Sequence, residues 1–290
     1  KMGEPKKFNF VELGPGDGSL TKVFIDTLKK FPKIEKATNI YLYEKSNFLK
    51  KLQKKKIDNR KVKWIKNFNS IKSGPVIFFG NEFFDAIPIK QFTNQSNKFF
   101  ERCYTLKSED NISEIFIKGN NQDIDQIRSF ETLEKLKFIE YPKKGLLELS
   151  KIITKISKLS GGILLIDYGY LVSNNSNTIQ AVMGNEKISM RTLFNNLGKA
   201  DITSLVNFSL LKEFFVQNNL RVKRIVSQKF FLERMGIFER AKILEKKMTT
   251  KQKKYMTETL SRLLEKNQMG ELFKVVFAYN YKNNNFFGFE

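Results

Sequence analysis

No histidine occurs among the 290 residues of this chain. That absence excludes Ser-His-Asp hydrolysis, histidine-ligated metalloprotease sites and imidazole acid–base chemistry. Any reaction here must use carboxylates, hydroxyls, amides, lysines or a cofactor. Cysteine occurs once, at Cys103, so neither a disulfide framework nor a thiolate zinc cluster can be built, and no metal site is expected. No apolar run is long enough to span a bilayer. Arginine is also scarce: of 52 basic residues, 9 are arginine and 43 are lysine. A net charge of +22 would suit a phosphate backbone through counterion release. Arginine, however, is the side chain whose planar fork favours phosphates and bases. The lysines are dispersed apart from a block at Lys50–Lys56, so the charge reads as a solvated surface rather than a nucleic-acid groove.

What the chain does have starts at Phe8. Phe8 to Leu13 reads as a buried strand that runs into a turn with glycines at Gly14, Gly16 and Gly18. A helix follows from Ser19, with Leu20, Val23, Phe24, Thr27 and Leu28 expected on one face. Glycines at such a turn permit positive φ and let the backbone lie against a ligand. A dinucleotide-binding turn spaces them G-x-G-x-x-G, with the pyrophosphate at the helix N-terminus. Here they alternate as G-x-G-x-G behind an acid, Glu12, which resembles the first motif of S-adenosylmethionine (SAM)-dependent methyltransferases.

Strand-like and helix-like segments alternate along the chain, which predicts an α/β fold with a mostly parallel sheet flanked by helices. Further strands are expected at Asn39–Glu44, Lys61–Ile65, Pro75–Gly80, Gly162–Tyr168, Leu220–Val226 and Glu271–Tyr281. Helices are expected at Asn47–Lys56, Leu146–Leu159, Ser209–Gln217 and Lys229–Lys247, with Asp201 or Thr203 as a cap ahead of the third. Between 89 and 144 the pattern turns antiparallel and β-rich, an insertion within a single domain spanning 1–290. Residues 283–290 read as a loose tail.

In an open parallel sheet, ligands bind at the carboxyl ends of the central strands. Glu12, Glu44, the cluster Asn81–Glu82–Asp85, and Asp167 all fall at such ends. Glu44, after the second strand, is spaced to accept hydrogen bonds from ribose hydroxyls. Asn67 and Phe68, after the third, could meet the edge and face of an adenine. Glu82 and Asp85, separated by two phenylalanines, would share a partly apolar pocket where charge is poorly screened. Such carboxylates can hold a cation. If it is a guanidinium, its N–H groups would be bound bidentately, leaving another nitrogen better placed to attack.

Six phrases, VELGPGDGSL, GNEFFDAIP, GILLIDYGY, KADITSLVNF, SQKFFLERMGI and MGELFKVV, resemble the MidA family in content and order, over nearly the whole chain. The resemblance implies a class I, Rossmann-like SAM-dependent methyltransferase, with SAM as cofactor. It implies a protein arginine on a core subunit of NADH:ubiquinone oxidoreductase (complex I) as acceptor, in support of that complex's assembly. It gives Glu12, Gly14, Gly16, Gly18 and Glu44 to SAM, and Asn81, Glu82 and Asp85 to the active-site end of the fourth strand. Family members carry several dozen more residues ahead of the first strand, so the sequence is expected to be truncated there. Asp17 replaces a basic residue common in the glycine turn, and Asn185 and Leu205 stand where histidines are usual. Two other readings stay open: a non-catalytic, methyltransferase-like assembly chaperone, and an RNA methyltransferase. The partner is expected to be protein rather than nucleic acid, with a homodimer left open. The expected location is a bacterial cytoplasm, with the mitochondrial matrix as the alternative.

Overall fold

The computed structural model describes residues 4–57, 61–108, 111–173, 175–184, 186–282 and 286–290. The chain begins with β1 (Phe8–Leu13), α1 (Ser19–Leu28), α2 (Pro32–Ala37), β2 (Thr38–Tyr43), α3 (Asn47–Lys56), β3 (Val62–Ile65) and β4 (Val76–Asn81). Next come β5 (Lys90–Gln95), β6 (Lys98–Ser108), β7 (Asn111–Lys118), α4 (Asn121–Arg128), α5 (Glu131–Glu134) and β8 (Phe138–Tyr141). Helix α6 (Lys143–Leu159) leads into β9 (Gly161–Tyr170). The short elements β10 (Gln180–Met183), β11 (Glu186–Ile188), α7 (Met190–Phe194), β12 (Asp201–Thr203) and β13 (Val206–Asn207) precede α8 (Phe208–Gln217). The chain ends with β14 (Arg221–Val222), β15 (Val226–Ser227), α9 (Gln228–Arg234), α10 (Ile237–Glu245), α11 (Thr250–Leu264), α12 (Met269–Leu272) and β16 (Phe273–Tyr279).

These elements form two compact units. The first takes Lys1–Phe83, Ser150–Tyr168 and Phe215–Glu290. Its sheet has the order β14-β16-β9-β4-β1-β2-β3, with β15 also on β16. The pairs from β9 through β3 are parallel, and β16 runs antiparallel to β9. β1 lies in the middle of the parallel part, between β2 and β4. A strand covered on both faces needs an apolar run rather than alternation, which FNFVEL supplies. Helix α1 turns inward a face that overlaps the expected one at Phe24 and Leu28 but not at Leu20, Val23 or Thr27. Thr21, Ile25 and Leu28 are buried, whereas Val23 is 62 % exposed. Phe24 stacks on Phe10 with ring centroids 4.1 Å apart, and that contact fixes the rotation of the helix.

At the other edge of this unit, Val226, Phe231, Phe273, Val275 and Phe277 form a second apolar cluster. The strand expected at Leu220–Val226 is two two-residue bridges to β16 instead. The helix expected at Lys229–Lys247 breaks at Gly236, whose φ is +81°. Residues 283–285 of the expected loose tail lie outside the described residues. In the remainder Phe289 is buried, its ring 5.4 Å from Phe231 and 6.1 Å from Phe277, while Phe287 is exposed.

The second unit takes Phe84–Leu149 and Gly169–Phe214. It holds an antiparallel sheet of order β7-β6-β5-β8 and a smaller one of order β11-β10-β12. Asp201–Thr203, expected to cap a helix, is strand β12 paired with β10. The cap of α8 is Asn207, whose Oδ1 accepts from the Leu210 N–H.

Asp123, fully buried, pins this unit. Lys90 Nζ donates to its Oδ2 at 2.8 Å and Lys143 Nζ to its Oδ1 at 2.5 Å. Asn120 adds a third bond at 2.6 Å. Burial opposes ionisation, but the bonds from Lys143, Lys90 and Asn120 outweigh it and hold the carboxyl below its ordinary 3.8. A depressed carboxylate contributes stability that is present above its unfolded value and lost as pH falls below it. Asp123→Ala removes a partner from two ammonium groups that are one-third exposed, leaving Lys90 its pair with Glu101 at 3.0 Å. Water relieves part of that cost, so a loss of about 2 kcal/mol in chemical denaturation is expected at pH 7. The loss should shrink below pH 4.

Candidate functional site

The glycine turn is built from the ends of β1 and β2. The Gly14 N–H donates to the Tyr43 carbonyl at 3.0 Å, and the Gly18 N–H closes the turn on Pro15 O at 2.8 Å. Gly14, Gly16 and Gly18 take φ of +59°, +55° and +81°, a region that costs other L-residues about 1–2 kcal/mol. Their surroundings differ. A Cβ on Gly14 would sit 3.1 Å from Phe83 Cδ2, and one on Gly18 would sit 2.9 Å from Ile57 Cδ1. One on Gly16 would meet nothing within 4 Å. Gly14 and Gly18 are therefore packed against the protein, while Gly16 borders open space where a ligand can lie against the backbone.

Asp17, which stands where a basic residue is common, bonds within the turn. Its Oδ1 accepts from the Ser19 N–H at 2.9 Å, and it pairs with Lys56 at 2.5 Å. The Lys56 ammonium and the Ser19 bonds bring the Asp17 carboxyl down to about 2. This pairing joins the turn to the last turn of α3.

Glu44 follows β2 and is 7 % exposed. Its Oε1 accepts from the Ser46 N–H at 2.7 Å, and its Oε2 accepts from Gln53 Nε2 at 3.1 Å. The same Gln53 amide donates to Gly16 O at 2.8 Å, while its Oε1 accepts from Trp64 Nε1 at 2.9 Å. Both amide protons and the carbonyl of Gln53 are thus used. This one side chain sets Gly16 and Glu44 relative to each other. Reading the sequence alone misses Gln53, because it sits within a lysine block. The available signal is a polar residue four positions after Leu49 and four before Ile57, on the helix face that turns inward.

Glu12 is 4 % exposed and accepts a hydrogen bond from the Thr21 hydroxyl in the first turn of α1. It braces the turn from within. Burial pushes its carboxyl above the ordinary 4.5, more than the Thr21 bond pulls it down. An acid with a raised folded value favours the folded state at low pH, and that advantage is lost as pH rises from the unfolded value through the folded one. Glu12→Gln keeps an acceptor for Thr21 and removes the ionisation. Thermal denaturation from pH 4.5 to 8 should show the variant gaining on the parent as pH rises.

At the end of β4, Glu82 has φ +49°, a left-handed conformation unusual for a residue other than glycine. Its N–H donates to Ile166 O at 2.9 Å, and Asn81 Nδ2 donates to its Oε1 at 3.3 Å. The Glu82 side chain is exposed. Phe83 folds back: its ring occupies the space beside Gly14, and its Cβ would lie 3.1 Å from one on Gly80. Local backbone strain of this kind concentrates at functional sites. Glu82 and Asp85, expected to share a partly apolar pocket, fall in different units and differ in exposure. Asp85 belongs to the second unit and is 5 % exposed; its backbone O accepts from the Ser204 N–H at 3.2 Å. Glu82 is exposed, and Phe84 and Asp85 are buried.

Asn67 accepts from the Asn69 N–H at 3.0 Å and caps a single 3-10 turn at 68–70. Phe68 is a core residue, 4.9 Å from the Tyr43 ring and 5.1 Å from Phe78. Asp167 lies inside β9 rather than at its end and is buried. Asn185 lies outside the described residues, and the Leu205 N–H donates to Thr178 Oγ1 at 3.0 Å.

Residues 1–226 match a family model described as "Putative S-adenosyl-L-methionine-dependent methyltransferase". The chain belongs to that family. This methyltransferase is 27 % identical over 296 residues to a Caenorhabditis elegans protein, covering 94 % of this chain and 67 % of the relative. That relative is named "Protein arginine methyltransferase NDUFAF7 homolog, mitochondrial". A Xenopus laevis protein with the corresponding name is 23 % identical over 299 residues, again 94 % of this chain and 67 % of the relative. Among solved structures, a Burkholderia thailandensis protein bound to S-adenosyl-homocysteine superposes with a TM-score of 0.76 at 18 % identity. The match covers 99 % of this chain and 73 % of that one. At that identity the match establishes a shared fold, the class I arrangement.

SAM is the cofactor of the family. The open side of Gly16 and the buried acceptor Glu44, joined through Gln53, suit a ligand that lies on backbone and offers hydroxyls to a carboxylate. When bound, SAM supplies a methyl group already activated on a sulfonium. Among the described residues, no helix is long and apolar enough to cross a membrane.

Proposed function

We propose that the chain transfers a methyl group from SAM to an arginine side chain of a protein, a core subunit of complex I, and thereby supports assembly of that complex. The observation that carries the acceptor assignment is Glu82: an exposed carboxylate on a left-handed backbone at the end of β4, with Asn81 bonded to it and Phe83 packed beside Gly14. Glu82 accepts guanidinium N–H groups and fixes the positive charge on one side, while Asn81 holds the carboxylate in place. A guanidinium does not lose its proton freely, so orientation and charge placement contribute most of what the protein adds. Gly14, Gly16 and Gly18, with Glu44 on the ribose and Glu12 bracing the turn, hold the cofactor. Asn67 borders the adenine, and Phe68 supports it from the core. Two relatives named protein arginine methyltransferases support the acceptor class, and their mitochondrial names support a matrix location.

The test is complementation in cells lacking the protein. A Glu82→Gln chain should bind its subunit, leave the arginine unmethylated and fail to restore complex I. Normal assembly with that variant would overturn the enzyme reading in favour of a binding module. Label from SAM appearing in RNA would overturn the protein acceptor.

A further inference from the structure

At one edge of the four-stranded sheet in the second unit lies β7, paired with β6 on one side and, among the described residues, with no strand on the other. This edge strand is 8 residues long, contains no proline, and exposes Phe116 and Ile117 at 49 % and 46 %. Such edges invite pairing with another chain unless proline, bulges or charge blunt them. Here the charges are of opposite sign. Glu114 stands two residues before Phe116 and Lys118 two residues after it, all three on one face of the strand. Glu114 pairs with Arg102 at 2.9 Å and is still 40 % exposed, so the carboxylate that Arg102 holds faces solvent. The Gly119 N–H donates to Phe99 O at 2.9 Å, and residues bonded to the neighbour alternate along an antiparallel pair. Ile115 and Ile117 therefore turn their backbone groups to β6, while Glu114, Phe116 and Lys118 turn theirs outward. The three residues with open backbone groups carry a pattern of charge, ring and opposite charge that is its own complement when reversed.

We propose that β7 pairs antiparallel with β7 of a second copy of this chain, about a two-fold axis at Phe116. That register sets Phe116 against its own counterpart and Glu114 opposite Lys118 on one face, with Ile115 opposite Ile117 on the other. Each unlike pair forms twice by symmetry, and opposite-charge and β-branched cross-strand pairs both stabilise a sheet. The outward N–H and C=O groups gain partners, and the two four-stranded sheets join into one. A shift of one residue would set outward backbone groups against inward ones. A shift of two would set a charge against the Phe116 ring. The net charge of +22 opposes the approach of two copies, and salt screens that long-range repulsion more than it weakens pairs in contact. No residue of this pairing belongs to the cofactor or acceptor site, so a chain that transferred no methyl group would pair in the same way.

The experiment is sedimentation equilibrium of the full chain at about 0.3 M salt, where the Debye length is roughly 6 Å. The parent should show a monomer–dimer equilibrium in the micromolar range, the strength of a small interface. Lys118→Glu sets acid against acid across the seam and should weaken the dimer at least about tenfold. Lys251→Glu makes the same charge change on the exposed α11 and should change it by less than about twofold. Glu114→Lys sets base against base and should lower self-association as far as Lys118→Glu does. A mixture of the Lys118→Glu and Glu114→Lys chains should recover the dimer, because one strand is then all acid and the other all base. Glu114→Lys also removes the partner of Arg102, so thermal denaturation confirms that each variant is folded. If that one is not, Phe116→Lys replaces it, with a loss at least as large expected. A parent that stays monomeric would overturn the proposal, including one whose edge takes up a strand of another protein instead. So would a dimer indifferent to Lys118→Glu, or folded complementary variants that fail to associate on mixing.

Discussion

Glu82→Gln should lower methyl transfer by about two to three orders of magnitude while changing SAM affinity by less than about twofold. Glutamine keeps the length of the side chain and one carbonyl acceptor. It removes the charge that makes a guanidinium bond strong and orients it. The fold should be indifferent, because the side chain is exposed and, among the described residues, its one bond comes from Asn81. Glu82→Gly makes the point from the other direction. It relieves a left-handed residue at φ +49°, worth about 1 kcal/mol of added stability, and should still lower transfer as far as glutamine does. Calorimetric SAM titration and labelled-methyl transfer separate the two quantities. Equal loss of both would mark Glu82 as a cofactor or structural residue.

Gly16→Val should reduce SAM affinity at least about 100-fold, because a branched side chain fills the open space on which the ligand lies. The φ of +55° at Gly16 adds a stability cost of about 2 kcal/mol for a β-branched residue, a fall of several degrees in unfolding temperature. Gly14→Ala should show the reverse balance. Its Cβ meets the Phe83 ring at 3.1 Å, so stability falls through displaced Phe83, and acceptor geometry is lost along with it. Calorimetry for affinity and thermal denaturation for stability distinguish the two. A folded Gly16→Val that binds SAM normally would place the cofactor elsewhere.

The strand, glycine turn and helix at the start of the chain were legible because each depends on a local rule: an apolar run, glycines at left-handed positions, and helical spacing. The rotation of α1 was not. Leu20 and Val23 continue the apolar stripe of Phe24 and Leu28 but are exposed, and the stacking of Phe24 on Phe10 is a tertiary contact that no helical period records. Helix α11 was missed because TKQKKYMTETLSRLL is mostly exposed and lacks a strong apolar face. Strand β12 reads as a cap in sequence because Asp and Thr serve both uses, and its pairing with β10 is set about 20 residues away in sequence.

At the candidate site, sequence spacing found residues that end strands but not what each one faces. Glu44 and Gly16 are linked by Gln53, whose importance lies entirely in a fold that brings α3 over the turn. Glu82 and Asp85 are three residues apart, and spacing suggested a shared environment. Asp85 is buried, and Glu82 is exposed on a left-handed backbone. Such a residue cannot be read from composition, because glutamate seldom adopts that conformation.

The most direct test of the account is a single-turnover incubation of the full-length protein with methyl-labelled SAM and its purified protein acceptor, followed by acid hydrolysis and amino-acid analysis. The label is expected in methylarginine, and to be absent from it with Glu82→Gln. Label in another residue, or none transferred by a protein that binds SAM, would contradict the account.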